Sequence, residues 1–298
     1  MKKTGVWLLT LMMAFVVLSG CGNNGANGNS GGKDGNASQG NSAEKATAGG
    51  LQAIKDRGKL IVGVFSDKPP FGFTNEKGDY IGFDNDLAKR FAKDLLGDES
   101  KIEYVVVEPA SRIPYLQSDK VDLILANMTV TDERAKQVDF TNPTMKVATQ
   151  VLVSDSSGIQ SLDGLKGKKI IVTKGTTADI FLTENRPDVE LVRYEKNTES
   201  LQALKDGRGD GYAQDNFILI GWAKDNPGFH LVEENLEDVA PIAPAVKKGN
   251  IELRDWVNTE LETLGKEKFL HQLYDTYVKD ELGPDANPDE IVTEGGKL

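Results

Sequence analysis

An alternation of strand and helix patterns runs along most of this chain and limits the possible fold more than any other feature. Residues 60–65 form a short, continuous apolar run that is typical of a buried strand. Residues 83–95 carry an apolar side chain at every fourth position, which predicts an amphipathic helix. Strands that alternate with helices usually form parallel sheets with helices on both faces, so the pattern predicts an α/β fold.

The alternation falls into two series, and these predict two α/β lobes. The predicted strands cover residues 60–65, 102–107, 121–126, 149–153, 169–172, 189–194, a short segment near Tyr212, and 241–247. The predicted helices cover residues 83–95, 113–117, 131–136, 177–184, 198–205, 216–224 and 251–282, the last with a break near Gly265. We assign residues 51–148 and 246–298 to lobe 1 and residues 149–245 to lobe 2. The acidic tail, residues 280–294, is predicted to be a solvated extension.

The N-terminus has the pattern of a secretory signal. Lys2 and Lys3 precede an apolar run at residues 6–18, which is shorter than the roughly 20 residues that span a bilayer. The run ends in Leu-Ser-Gly-Cys at residues 18–21, which resembles the lipobox of bacterial lipoproteins. This resemblance implies a signal peptide at residues 1–20 and a diacylglycerol on Cys21. Residues 21–50 would then be the lipidated cysteine and a flexible linker, because the segment is rich in Gly, Asn and Ser.

We therefore expect a lipid-anchored protein on the extracytoplasmic face of the cell membrane, in an envelope with one or two membranes. The chain has a single cysteine, which excludes a disulfide within it. Its formal net charge of -11 disfavours a nucleic-acid partner, because phosphate binding needs a basic face. We also expect a monomer.

Three polar segments follow predicted strands, and ligands of open α/β sheets bind beyond the carboxyl ends of strands. Arg134 lies in the first turn of a predicted helix, where a cation opposes the helix dipole. Its planar fork could instead grip a carboxylate with two hydrogen bonds. The alternative is a surface ion pair with Asp132 or Glu133.

The other two segments also lie between a strand and a helix. In Lys174-Gly175-Thr176-Thr177, free backbone N–H groups of Thr176 and Thr177 could hold an anion, unless the segment is an ordinary turn. In Gln214-Asp215-Asn216, Asp215 could cap the next helix, hold an ammonium group, or do both. A carboxylate clamp and an ammonium site, split between two lobes, together form a recognition set for a free α-amino acid.

From about residue 51 onward the chain resembles the family 3 extracellular solute-binding proteins, the amino-acid receptors of ABC importers. The segments that carry the resemblance are GFD at residues 82–84, VDLI at 121–124, TDER at 131–134, DFT at 139–141, LKGK at 165–168, GTT at 175–177 and DN at 215–216. The resemblance implies a periplasmic-binding-protein type II fold, in which two α/β lobes are joined by a two-strand hinge. It also implies that the lobes close on a small-molecule amino acid, and that an ABC permease and ATPase complex is the partner.

The resemblance also implies roles for individual residues. Arg134 would bind the ligand α-carboxylate, with the backbone N–H groups of Thr129 and Thr177. Asp215 would pair with the α-ammonium, helped by the Asn127 carbonyl and the Thr129 hydroxyl. Further predicted contacts are Thr176 and Gln214 beside these groups, Phe65 and Lys68 over the ligand side chain, and Arg112.

The ligand side chain is less determined. Residues 65–72, 111–112, 125–128 and 294–297 look most similar to the cysteine-binding branch of the family. Acidic-amino-acid binders hold the side-chain carboxylate with a Thr-Arg pair, where this chain has Ser111 and Arg112. We favour cysteine, then cystine, then glutamate or aspartate, and Arg112 could also form a surface ion pair with Glu108 or Asp119.

An enzyme is the main alternative class, since periplasmic cyclohexadienyl dehydratases resemble this family in fold. Such a lyase needs a carboxylic acid with a raised pKa at the leaving group, and the sequence assigns none. The sequence also contains no metal-ligand cluster and no nucleophile–His–acid pattern, so we expect no catalytic residue, metal or cofactor.

Overall fold

The computed structural model describes residues 49–284 and 286–296. The predicted signal peptide, Cys21 and the linker up to residue 48 lie outside the described residues. Within those two ranges, no helix combines the length and apolar character needed to cross a membrane.

The described strands and helices follow the predicted alternation. The strands are β1 (Leu60–Val64), β2 (Asp67–Lys68), β3 (Gly72–Thr74), β4 (Tyr80–Ile81), β5 (Ile102–Val106), β6 (Leu123–Leu125), β7 (Val138–Phe140), β8 (Met145–Val147), β9 (Thr149–Ser154), β10 (Lys169–Thr173), β11 (Glu190–Tyr194), β12 (Gly211–Asp215), β13 (Phe229–Leu231), β14 (Ala240–Ile242) and β15 (Ala245–Lys247). The helices are α1 (Leu51–Arg57), α2 (Phe83–Leu96), α3 (Arg112–Gln117), α4 (Asp132–Ala135), α5 (Thr177–Asn185), α6 (Asn197–Lys205), α7 (Asn216–Asp225), α8 (Ile251–Lys266), α9 (Phe269–Tyr277), α10 (Lys279–Leu282) and α11 (Pro288–Ile291).

The first sheet has the strand order β5-β1-β6-β15-β7. Strands β5, β1 and β6 are parallel, whereas β15 runs antiparallel to both of its neighbours. Helix α2 packs on one face through Leu87 and Phe91, in a core shared with Leu253 of α8. Leu116 of α3 belongs to a second core with residues of β6 and β15. The sheet is therefore covered on both faces, which accounts for the apolar runs of its strands.

The second sheet has the order β11-β10-β12-β9-β13 and also combines parallel and antiparallel pairs. Separate apolar clusters lie on its two faces, one around Val172 and Leu182 and the other around Ile171 and Tyr212. All of its strands come from residues 149–231, so it has its own core.

Two antiparallel strands, β8 and β14, carry the chain between the sheets. Strand β8 leads into β9 of the second sheet, and β14 leads back to β15 of the first. The extended stretch predicted at residues 241–247 is therefore two strands with different partners.

The small sheet formed by β2, β3 and β4 was not predicted. Its strands have only two or three residues, and Pro69 and Pro70 lie between β2 and β3. The segment therefore has no apolar periodicity from which strands could be predicted. The sheet places Lys68 next to the carboxyl end of β1.

The prediction that the acidic tail is a solvated extension is wrong. Val292 forms a β-bridge to Met145 of β8, and Glu294 accepts hydrogen bonds from the backbone N–H groups of Leu270 and His271. A Cβ on Gly265 would lie 2.6 Å from the Gly295 Cα. The lack of a side chain at Gly265 thus allows the tail to approach helix α8 closely, and Gly265 does not end the helix. The break falls at Lys268, whose φ is 52°.

Candidate functional site

The predicted site residues surround a single cavity between the two sheets. Phe65 follows β1, and Asn127 and Thr129 follow β6 from one side, while Thr177 follows β10 and Asp215 ends β12 on the other. The ten predicted contacts, all at most 8% exposed and all lining this cavity, are Phe65, Lys68, Arg112, Asn127, Thr129, Arg134, Thr176, Thr177, Gln214 and Asp215. The cavity has a volume of about 10 Å³, the room of about one water molecule, so its walls must move apart to admit a ligand.

Arg134 lies in the single turn of helix α4, whose N-cap is Thr131. Its Nη1 donates to the Thr129 carbonyl at 2.8 Å, and its Nη2 donates to the Gly175 carbonyl at 3.1 Å. The alternative of a surface ion pair with Asp132 or Glu133 is wrong, because the guanidinium is buried and makes neither contact. Burial lowers the pKa of Arg134, and the carboxylates of Asp215 and Glu237 oppose this shift.

Asp215 occupies the N-cap position of helix α7, but its side chain makes no capping hydrogen bond. Instead its Oδ2 accepts from Asn127 Nδ2 at 2.7 Å. Burial raises the pKa of Asp215 to about 6, although the Asn127 hydrogen bond and the charges of Arg134 and Arg112 lower it. Capping therefore does not occupy this carboxylate, and a ligand cation would favour its ionised form.

Asn127 connects several parts of the site. Its φ of 42° is unusual for a residue with a side chain, and its Oδ1 is a buried acceptor without a partner among the described residues. Its backbone N–H donates to Asp84 Oδ2 at 2.7 Å. An orphaned acceptor beside the Asp215 carboxylate is what a ligand ammonium could satisfy.

The two predicted backbone donors of the second lobe differ. The Thr176 N–H donates to the Thr173 carbonyl at 3.3 Å, so the prediction that it is free is wrong. The Thr176 hydroxyl also serves the backbone, because it caps helix α5. Thr177 is the first residue of that helix, where backbone N–H groups have no partner within the helix. An anion here would therefore be held by Thr177.

Arg112 is buried, which contradicts the alternative of a surface ion pair with Glu108 or Asp119. Its Nη1 donates to the carbonyls of Ala126 and Asn127, both at 3.0 Å, and its Nε donates to the Pro109 carbonyl at 3.1 Å. The side chain therefore holds the loop after β6 in place.

Phe65 and Lys68 form the wall next to Arg112. Lys68 Nζ lies 3.9 Å from the centre of the Phe65 ring, and Arg112 Cζ lies 5.6 Å from it. Lys68 is 1% exposed and pairs with Asp67 at 2.7 Å. Gln214 lines the cavity too, but its amide is used locally, since Nε2 donates to Tyr212 and Oε1 accepts from the Asp215 N–H.

Direct contacts join the two sides of the cavity. Besides the bonds from Asn127 to Asp215 and from Arg134 to Gly175, the Asn197 side chain donates to the Asp67 carbonyl at 3.1 Å. A Cβ on Gly175 would lie 2.7 Å from the Ala110 Cα, so the backbones also pack closely. The structure thus shows the two sheets with the cleft between them closed.

Comparison with known proteins identifies this arrangement. Residues 60–280 match the sequence model of the bacterial extracellular solute-binding proteins, family 3. The chain belongs to this family.

Relatives of this solute-binding protein include several amino-acid receptors. The ABC transporter glutamine-binding protein GlnH of Bacillus subtilis is 35% identical over 94% of this chain and 99% of its own length. The cysteine-binding protein of Campylobacter jejuni is 47% identical, with a TM-score of 0.80 over 82% of this chain and 98% of that protein. The solute receptor for L-cysteine of Neisseria gonorrhoeae is 45% identical, with a TM-score of 0.80 over 82% and 100%. These likenesses confirm the predicted family and its periplasmic-binding-protein type II fold.

Sequence reasoning about this solute-binding protein missed Asp84. The residue was noted as part of the GFD segment, but not for its position beneath the site. It is 2% exposed, and burial raises its pKa to about 7, while the hydrogen bond from the Asn127 N–H lowers it. Asp84 does not line the cavity but positions Asn127. The available signal was an acidic residue in the first turn of an otherwise apolar helix face.

Two further acids near the site, Glu108 and Glu237, have pKa values raised by partial burial. Within residues 49–284 and 286–296, no group of three or more His, Cys, Asp or Glu side chains could hold a metal ion. The role of the lining residues as ligand contacts in this solute-binding protein stays a prediction.

Proposed function

We propose that this chain is a receptor that binds a free L-amino acid, with cysteine as the preferred ligand, and delivers it to an ABC importer. The observation that carries the proposal is the placement of Arg134 and Asp215 on opposite sides of one closed cavity. An α-amino acid has one carboxylate and one ammonium, and these two side chains offer the complementary charges. Thr129 and Thr177 add donors for the carboxylate, while Asn127 adds an acceptor for the ammonium.

The preference for cysteine is supported by sequence identity to two solved cysteine receptors. The two cysteine receptors are 45–47% identical to this chain, against 35% for the glutamine-binding relative. Cystine, glutamate and aspartate are the alternative ligands.

A lyase is the alternative class of function. Asp215 has the raised pKa that an acid catalyst requires, but the hydrogen bond from Asn127, the charges of Arg134 and Arg112 and a bound ammonium group all favour its ionised form, which has no proton to donate. Asp84 also has a raised pKa, but it lies behind Asn127 and does not face the cavity. Neither carboxyl group is therefore placed and protonated to act on a leaving group, and binding is the better account of the site.

A thermal-shift screen of the purified chain against the twenty amino acids and cystine tests the proposal. A ligand at one hundred times its Kd stabilises the folded state by about 2.7 kcal/mol. We expect cysteine to raise Tm more than any other amino acid. A larger shift with glutamine or glutamate would overturn the ligand, and a screen without any shift would overturn the receptor and favour the lyase.

We also propose that the receptor is held at the membrane by lipid on Cys21, on the extracytoplasmic face. The support is the sequence pattern of Lys2, Lys3, the apolar run and the Leu-Ser-Gly that precedes Cys21. We expect Cys21→Ser to move the protein from the membrane fraction to the soluble fraction. Ser19→Ala, which keeps a small residue before the cysteine, should leave it in the membrane fraction. Retention of Cys21→Ser in the membrane would contradict the anchor.

A further inference from the structure

Two guanidinium groups at this cavity have no carboxylate in direct contact among the described residues. Arg112 and Arg134 are 3% and 6% exposed, and both donate to backbone carbonyls only. Among the described residues, neither side chain forms a salt bridge, whereas the equally buried Lys68 pairs with Asp67. A carbonyl dipole does not neutralise a buried charge, and an uncompensated buried cation is costly. Each guanidinium is therefore free to pair directly with an anionic group of the ligand.

The proposed amino acid supplies only one such group through its α-carboxylate. That group is assigned to Arg134, next to the free backbone donors of Thr129 and Thr177. The buried carboxylates of the protein do not fill the second position. Asp215 is bonded to Asn127 and faces the ligand ammonium, and Asp84 is bonded to the backbone of Asn127. Burial and the charge of Arg134 lower the pKa of Arg112, and the carboxylates of Asp215 and Asp84 oppose this shift without contacting the guanidinium. Among the described residues, Arg112 therefore has no carboxylate in direct contact.

The surroundings of Arg112 suit a small, polarisable anion. Arg112 and Lys68 both lie against the Phe65 ring, so two cations meet at one apolar surface. Neighbouring cations lower the pKa of a thiol and favour the thiolate. Of the groups that a cysteine ligand carries, only the thiol can provide the second negative charge.

We propose that the receptor binds cysteine with its side chain ionised, the thiolate sulfur facing Arg112 and Lys68. This inference rests on the proposed cysteine ligand. Free cysteine at neutral pH carries a protonated thiol, so binding breaks the S–H bond and releases one proton to solvent. No oxidation or reduction takes place, and the net charge of the bound ligand is one unit more negative than that of the zwitterion.

Other titrating groups lie in or near the cavity and have to be separated from the thiol. These are Asp215 from β12, Asp84 from α2, Glu108 and Asp67 beside Lys68, and Glu237 near Arg134. Their protonation affects every amino-acid ligand. Serine has the same shape as cysteine but does not ionise in this range, so the difference between the two ligands isolates the thiol.

Titration calorimetry between pH 6.5 and pH 8.5, the latter about the pKa of a free thiol, tests the proposal with both ligands. We use the full chain with Cys21→Ser, which leaves the protein without a thiol of its own. If only the thiolate binds, the ratio of the cysteine Kd to the serine Kd rises about tenfold for each pH unit below the free thiol pKa. The ultraviolet band of the thiolate should also appear when cysteine binds at neutral pH.

Substitutions at Arg112 identify the cation responsible. Arg112→Gln should abolish the thiolate band and flatten the pH dependence of the Kd ratio, whereas Arg112→Lys, which keeps a cation, should retain both. Lys68→Gln is the second variant if Arg112→Gln does not fold, and it should move the bound thiol to a higher pKa. Cysteine that binds without a thiolate band, and with a Kd ratio independent of pH, would overturn this inference but leave the proposed receptor intact. Binding of glutamate but not cysteine would overturn both the proposed ligand and the thiolate.

Discussion

The Asn127 side chain donates a hydrogen bond to the Asp215 carboxylate across the cleft, with 2.7 Å between Nδ2 and Oδ2. Asn127 follows β6 of the first sheet, and Asp215 ends β12 of the second. The bond therefore orients the carboxylate proposed to bind ammonium and also holds the two sides together. Hydrogen bonds to charged groups typically contribute about 1.5–3 kcal/mol.

We predict that Asn127→Ala weakens ligand binding by about tenfold to a hundredfold, because Asp215 loses its partner and closure loses a contact. Isothermal titration calorimetry measures the effect. Asn185→Ala is the matched control, since Asn185 is exposed and, among the described residues, its side chain bonds only within helix α5. An Asn127→Ala protein with the affinity of the control would refute the assigned role.

Arg134→Ala should remove binding almost completely. Loss of one partner from a buried, hydrogen-bonded charge pair typically costs about 2–5 kcal/mol, or roughly thirtyfold to several thousandfold in Kd. Arg186→Ala, at a surface pair with Asp188, should bind normally. Normal affinity in Arg134→Ala, measured on protein with an unchanged circular dichroism spectrum, would contradict the carboxylate clamp.

Gly175→Ala should impair closure rather than folding. The residue has a φ of +76°, and a Cβ there would lie 2.7 Å from the Ala110 Cα across the cleft. Gly207 has a similar φ of +71° with no atom within 4 Å of its Cβ position, so Gly207→Ala carries the same backbone strain without the clash. Both variants should lose about 1 kcal/mol of stability, and only Gly175→Ala should lose affinity. Equal affinities would show that closure does not need this contact.

Affinity should decline at acid pH because Asp215 must be ionised to hold an ammonium group. Its pKa is raised to about 6, so the protonated form dominates below that value, and Kd should increase as pH falls through it. Serine is the suitable ligand, since its side chain does not titrate. Asp215→Asn should bind weakly at every pH and show a flatter profile between pH 5 and pH 7. A wild-type profile parallel to that of the variant would assign the titration to another group.

Asp84 should make the fold less stable as pH rises. Its pKa is about 7 in the folded protein against 3.8 for the ordinary group, so the folded state binds more protons than the unfolded state between these values. The free energy of unfolding should therefore fall from pH 4 to pH 7, by up to about 4 kcal/mol from this group. Asp84→Asn keeps an acceptor for the Asn127 N–H and should lose that part of the slope in urea unfolding. The control Asp225→Asn, at an exposed residue, should retain that part of the slope. Identical slopes in the wild type and both variants would show that Asp84 does not cause the pH dependence.

The strand–helix alternation by itself determined the fold class and most elements. A buried strand such as β1 and an amphipathic helix such as α2 can be recognised from the local spacing of apolar residues. This recognition does not require knowledge of residues far away in the chain. The same order placed Arg134, Thr177 and Asp215 after strands. Because carboxyl ends of parallel strands share one edge of a sheet, the proximity of Thr177 and Asp215 could be expected from the sequence, whereas their meeting with Arg134 depends on how the two sheets pack.

Only the tertiary structure decided which of these polar groups are free. The backbone carbonyls that accept hydrogen bonds from Arg112 and Thr176 are set by the folded structure, and no sequence pattern indicates them. Asp84 beneath Asn127, Ala110 against Gly175, and Gly265 against Gly295 are likewise contacts between segments far apart in the chain. Such contacts depend on how two sheets pack, and packing has no local period. The sequence thus determined the elements and the chemistry at their ends, while packing alone determined the charges left for a ligand to neutralise.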